Sequence, residues 1–175
     1  MRTHFLLLLL TGMLTACSQH SGNKRSEAAS GNDISRQALE VAEDYVRSRL
    51  KDAQRMVTGD GVITWSDHQS MFVIDPRLIF QGPVDDDTEQ DVIVSVAAFE
   101  GKSQIVTRHL VLLSTNGKLA LAQVVESDME ILFIKNGVIT ADVPTHARTS
   151  PLFNCSECRD VVNYRLQGWR LVKVE

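Results

Sequence analysis

Aromatic residues, long apolar runs and any excess of basic charge are all scarce in this chain. Phe, Trp and Tyr make up only 6% of its 175 residues. At that level Trp65 and Trp169 are expected to be core or rim packing rather than a ligand-facing pair. No stretch reaches the roughly 20 consecutive apolar residues that a membrane-spanning helix needs. The formal net charge is −4, which argues against nucleic acid or an anionic lipid surface as a partner. Three catalytic signatures are absent from the sequence: a G-x-S-x-G elbow, an H-E-x-x-H pair and a phosphate-binding glycine loop. Ser66, Asp67 and His68 in "WSDH" contain the residue types of a hydrolytic triad. Neighbours in the chain cannot converge as those roles require, so a turn is expected there. The reading is a non-enzyme without a cofactor.

The N-terminus is more informative. Met1-Arg2-Thr3-His4 is a short basic start, and "FLLLLLTGML" from Phe5 to Leu14 is a compact apolar core. Its length and flanks are those of a secretory signal. The core runs into Leu14-Thr15-Ala16-Cys17: a branched apolar residue, two small residues and a cysteine. This segment resembles the lipobox of bacterial lipoproteins. The resemblance implies a signal peptide over 1–16, a diacylglycerol on the Cys17 sulfur, cleavage before Cys17 and acylation of its amine. Several acyl chains on one residue exceed what stable anchoring requires, so the membrane is an expected partner through covalent lipid on Cys17. In Gram-negative lipoproteins a residue other than Asp after the cysteine, here Ser18, implies an outer-membrane location facing the periplasm.

Removing residues 1–16 leaves 159 residues, and the charge becomes −5 because Arg2 leaves and no acid does. That length suits one domain with a real core. The stretch 17–33 is polar and Gly/Ser-rich from Ser18 onward, and reads as a lipidated flexible tether spanning about 20–25 Å. A single α+β domain is expected over 34–175. It would start with an amphipathic helix, because Leu39, Ala42, Val46, Leu50, Ala53 and Val57 recur every three or four residues. Asp33 or Ser35 would cap that helix, and "TGDG" from Thr58 to Gly61 would end it.

After Gly61 the chain reads as strands and turns. Ten short runs rich in Val and Ile follow, from Val62–Trp65 and Met71–Ile74 through to Trp169–Val174. Asn116-Gly117 and Asn136-Gly137 are strong hairpin signals. The expected architecture is the helix packed on an antiparallel meander of roughly eight strands.

Two groups of residues could carry chemistry. Cys155 and Cys158 in "NCSEC" are read first as a structural disulfide in an oxidising compartment. A redox pair would need a helix start that the following strand pattern does not offer. A zinc site would need further ligands, with His146 and His109 as the available donors. The second group is "GPVDDDTEQD", from Gly82 to Asp91. Calcium would take Asp85, Asp87 and Asp91. One loop register then puts Pro83 at the first ligand position and Thr88 where the turn glycine belongs, and the other lacks the closing acid. A solvated acidic turn acting as surface charge is the favoured reading.

From Gly82 onward the order of short motifs is similar to small periplasmic lipoprotein domains of the LppP/LprE type. The matching pieces are Asp87 and Asp91 before "VIVSVAAF", "TNGKLALAQV", "KNGVITADV", Thr145-His146, the cysteine pair and "YRLQGWRL". The turn glycine and the adjacent cysteines of that pattern are replaced here. The resemblance implies an envelope role without an assigned activity. The function expected is therefore a membrane-anchored, periplasm-facing lipoprotein with a non-catalytic binding or structural role and a protein partner in the envelope. The alternatives are a metal-binding module, or an immunity or inhibitor lipoprotein acting against an envelope-targeting protein.

Overall fold

The computed structural model describes residues 24–101, 105–151, 153, 155 and 157–174. Cys17 and the signal segment lie outside the described residues. Helix α1 spans Lys24–Arg47 and is followed by ten strands in two antiparallel sheets. The first sheet has the order β1-β2-β3-β4-β5-β6: Gln54–Val57, Ile63–Ser66, Ser70–Gly82, Asp91–Glu100, Val106–Thr115 and Lys118–Glu126. The second sheet has the order β10-β9-β8-β7: Arg170–Val174, Arg159–Gln167, Val138–Pro144 and Glu130–Lys135. Among the described residues the architecture is thus mostly β, with one helix and two sheets in place of one eight-strand meander. No described helix is long and apolar enough to cross a membrane.

The helix sits earlier in the chain than its periodicity suggested. It begins at Lys24, inside the segment assigned to the tether, and ends at Arg47, ten residues before Val57. Asp33 bonds forward to Arg36 and Gln37 within the helix, and the Ser35 hydroxyl accepts a bond from Gln81 Nε2 at 2.7 Å. Neither is a cap. Ala38, Ala42, Tyr45 and Val46 form its buried stripe. Beyond Arg47 the spacing of Leu50, Ala53 and Val57 is coincidental. The helix closes on turn bonds from Arg49 N to Val46 O and from Leu50 N to Arg47 O, and Asp52 then takes a left-handed backbone (φ 49°). Val57 lies exposed on β1, and Thr58 to Val62 turn that strand into β2.

Two other apolar runs prove to be one strand. Met71–Ile74 and Leu78–Phe80 both belong to β3, whose register against β4 shifts between Ile74 and Ile79. The irregular stretch contains Pro76, which has no backbone N–H to give to a ladder. Both Asn-Gly pairs form the expected tight turns, with positive φ at Asn116, Gly117, Asn136 and Gly137.

Strand β4 is central, and its two faces build two cores. Val92, Val94, Val96 and Ala98 face the helix together with Leu110 and Leu112 of β5. Ile93 of β4 and Val111 of β5 face the other way, against Met129 and the second-sheet residues Ile131, Ile139 and Ala141. Helix, six-stranded sheet and four-stranded sheet are therefore stacked in that order. The sheets approach closely at Gly82, where an added Cβ would lie 2.8 Å from Ile134 Cγ2 and 3.2 Å from its carbonyl oxygen.

Candidate functional site

The residues that stand out most sit on the face of β4 and β5 turned toward the second sheet. Alternation on a strand puts Ser95 on the same side as Ile93, and the register places it directly opposite His109. Both are buried, His109 with 1% of its surface exposed. Ser95 Oγ lies 2.9 Å from His109 Nδ1. Nε2 of the same ring is buried and makes no hydrogen bond of normal geometry. Burial lowers the imidazole pKa to about 4, against a weaker opposing pull from the Met129 backbone, so the ring is neutral at ordinary pH.

This pair forms part of the wall of a cleft of about 270 Å³ between the two sheets. Leu78 and Phe80 of β3 and Met129 and Ile131 supply its apolar walls. Charged residues at the cleft are tied up locally. Asp128 forms an ion pair with Arg148, and Arg159 Nε lies 2.9 Å from Asp142 Oδ1. Glu130 Oε2 stands 4.0 Å from Arg159.

The acidic segment between β3 and β4 is more structural than its composition suggested. Asp91 is wholly buried rather than solvated. Its carboxylate accepts bonds from Val84 N (2.7 Å), Asp85 N (3.4 Å) and Ser114 N (2.9 Å). Burial raises its pKa, and the N–H groups of Ser114 and Val84 oppose that rise. Glu89 accepts from Ser114 Oγ, Asn116 N and Gly117 N, clasping the β5–β6 hairpin, and these bonds lower its pKa. Asp85 and Asp87 accept the N–H groups of Asp87 and Glu89. Oxygens of Asp85, Asp87 and Asp91 lie within 4.8 Å of one another, the one such trio of ligating groups found among the described residues. Asp86 and Asp87 remain exposed.

The other sequence candidates separate cleanly. Cys155 and Cys158 are bonded to each other, with Cα atoms 5.1 Å apart, so neither sulfur is a free thiolate in this state. Arg159 opens strand β9 directly after them, with no helix between. Asp67 of "WSDH" caps a turn, accepting the N–H groups of Lys51, Gln69 and Ser70. Trp65 is core and donates to Glu43 at 2.9 Å. Trp169 is 67% exposed at the β9–β10 turn, so it is not core packing. The Ser95–His109 pair was missed as a unit because their opposition depends on register. The available signal was a polar residue inside each of two apolar runs, "VIVSVAAF" and "RHLVLL".

No family model, no curated protein and no solved structure matches this chain.

Proposed function

We propose that this chain is a lipid-anchored protein of the bacterial envelope, held by acyl groups on Cys17, whose three-layer domain binds a partner or ligand without catalysis. The lipobox-like "LTAC" supports the anchor and the periplasm-facing, outer-membrane location. The observation that carries the binding role is the Ser95–His109 pair in the inter-sheet cleft. Its geometry favours binding over hydrolysis. A histidine acting as base for a serine needs an imidazole basic enough to take the proton and a group that orients it. His109 is too weak a base, and its second nitrogen has no carboxylate behind it. An immunity or inhibitor lipoprotein is one form of the same reading, with exposed Asp86 and Asp87 facing a basic partner.

A second reading, calcium on Asp85, Asp87 and Asp91, is favoured by the 4.8 Å clustering of their oxygens. The backbone bonds that each of the three accepts account for the same clustering without an ion. Native mass spectrometry of the chain recovered from membranes separates the two. We expect a mature chain starting at an acylated Cys17, lighter by two hydrogens for the Cys155–Cys158 bond and carrying no metal. A chain that retains calcium through the desalting step supports the second reading, and an unacylated chain overturns the first.

A further inference from the structure

We propose that the outer face of the second sheet, ending in Trp169, docks on a phospholipid surface beside the acyl anchor. This rests on the anchored reading given above and names the second contact that orients the domain. Position comes first. Ser35 meets Gln81 near the end of β3 and Gln37 meets Gly117 of the β5–β6 turn, whereas Glu43 meets Arg55 and Trp65 farther along the helix. Toward its start the helix therefore runs out past the β5–β6 turn, with residues 24–33 adding about 15 Å. The Asn136-Gly137 turn lies at that same end, sharing a hollow with the Asp85–Asp87 segment, Arg165 and Leu166. Trp169 stands just past Leu166, on the adjoining β9–β10 turn. Residues 18–23 alone separate Cys17 from Lys24, and chain of that length reaches at most about 24 Å. An acylated Cys17 thus holds this end of the domain nearest the membrane.

The chemistry of the face matches its position. Ile139, Leu166 and Leu171 pack into the core between the sheets. Alternation then turns Phe133, Lys135, Arg165, Arg170 and Val172 outward, and all five are exposed. Lys135, Arg165 and Arg170 form no ion pair among the described residues. The acids on this face, Asp142 and Glu130, lie 2.9 and 4.0 Å from Arg159 instead. The chain is acidic as a whole, but the free charge described on this face is positive. Three cations give lipid phosphates their counter-charge. An indole, apolar in body with one N–H donor, settles at the boundary between headgroups and acyl chains. Asp86 and Asp87, exposed at the β3–β4 connection, repel the same phosphates and tip the second sheet rather than the first toward them. One Trp and three cations are too few to hold a free chain, and the anchor supplies the missing local concentration.

The test is tryptophan fluorescence in vesicles of phosphatidylethanolamine and phosphatidylglycerol, with brominated acyl chains as the contact quencher. Trp65 is core and stays out of reach. In the acylated mature chain we expect bromolipid to quench the emission, and Trp169→Phe, at an exposed turn, to abolish that quenching. Arg165→Gln combined with Arg170→Gln should weaken it at least twofold, as should high salt. The Cys17→Ser chain, held to nickel-chelating lipid by an N-terminal hexahistidine tag, should show the same quenching. That arm reads docking apart from acylation, so a failed anchor and a failed face are distinguished. Quenching that is equal in Trp169→Phe, absent from the tag-held chain, or unchanged in the double arginine variant overturns the proposal. So does a Trp169 shielded from iodide without bromolipid contact, which places a protein or a second copy on the face.

Discussion

Burial of His109 has a consequence for stability that its neighbours do not share. Its ordinary pKa of 6.5 falls to about 4 in the folded chain. Between those values the unfolded chain binds a proton that the folded chain refuses, so stability is full above about pH 6.5 and drains away as pH falls toward 4. One pKa unit corresponds to about 1.4 kcal/mol, which sets the loss at no more than about 3.5 kcal/mol. Asp91 runs the other way. Its raised pKa gives a contribution present at low pH and lost as pH rises through the folded value. Glu89 is lowered, so its contribution is lost only as pH falls below the ordinary carboxylate range. The His109 window can therefore be isolated by difference. In denaturant unfolding curves at several pH values, we expect His109→Gln to remove the slope between pH 6.5 and 4.5. An unchanged slope would place the titration elsewhere. At this scale the sequence was half legible: Ser95 and His109 are visible as polar intrusions in apolar strands, and Asp91 as the acid nearest a strand. That Asp91 is buried under three N–H groups depends on where β5 passes, which no local pattern in "DDDTEQD" encodes.

At the scale of elements, hairpins were the most legible feature and the helix the least. Asn116-Gly117 and Asn136-Gly137 announce their turns because few other residue pairs accept two consecutive positive φ angles. The helix was displaced because Leu50, Ala53 and Val57 continue its spacing by chance, while Lys24 to Asp33 carry too few apolar residues to announce it. Glu43 ties the true helix to the sheet edge, bonding Arg55 of β1 at 2.6 and 3.0 Å and Trp65 of β2 at 2.9 Å. Stacking of the second sheet depends on a different device, the missing side chain at Gly82. We expect Gly82→Ala to cost about 1–3 kcal/mol of stability, as overpacking does, measured from the midpoint of urea unfolding. Ile134→Ala in the same background should recover part of that loss by making room. A neutral Gly82→Ala would mean that the sheets are not held at that point.

At the scale of the whole molecule, the chain was read as one domain with a helix and antiparallel strands, and helix and strands are what it contains. What the sequence did not reveal is that the strands divide into two sheets. The path leaves the first sheet after Glu126 and enters the second at Glu130, through "SDM", three residues with no glycine or proline to mark the change. The division produces the inter-sheet cleft, so the candidate site was illegible for the same reason as the topology. Outside the cleft, Val161 and Trp169 are the most exposed large hydrophobic side chains among the described residues, at 69% and 67%. Both belong to the β9–β10 region, whereas Asp86 and Asp87 project at the β3–β4 connection. An envelope partner can be sought from these two places at once. The most direct measurement is in-cell photo-crosslinking from Trp169 and from Asp86, in the unaltered chain and in Cys17→Ser. We expect a discrete adduct with one envelope component from at least one position, lost when Cys17→Ser releases the chain from the membrane. Adducts confined to bulk lipoproteins, or a pattern identical in Cys17→Ser, would contradict a lipid-anchored binding protein.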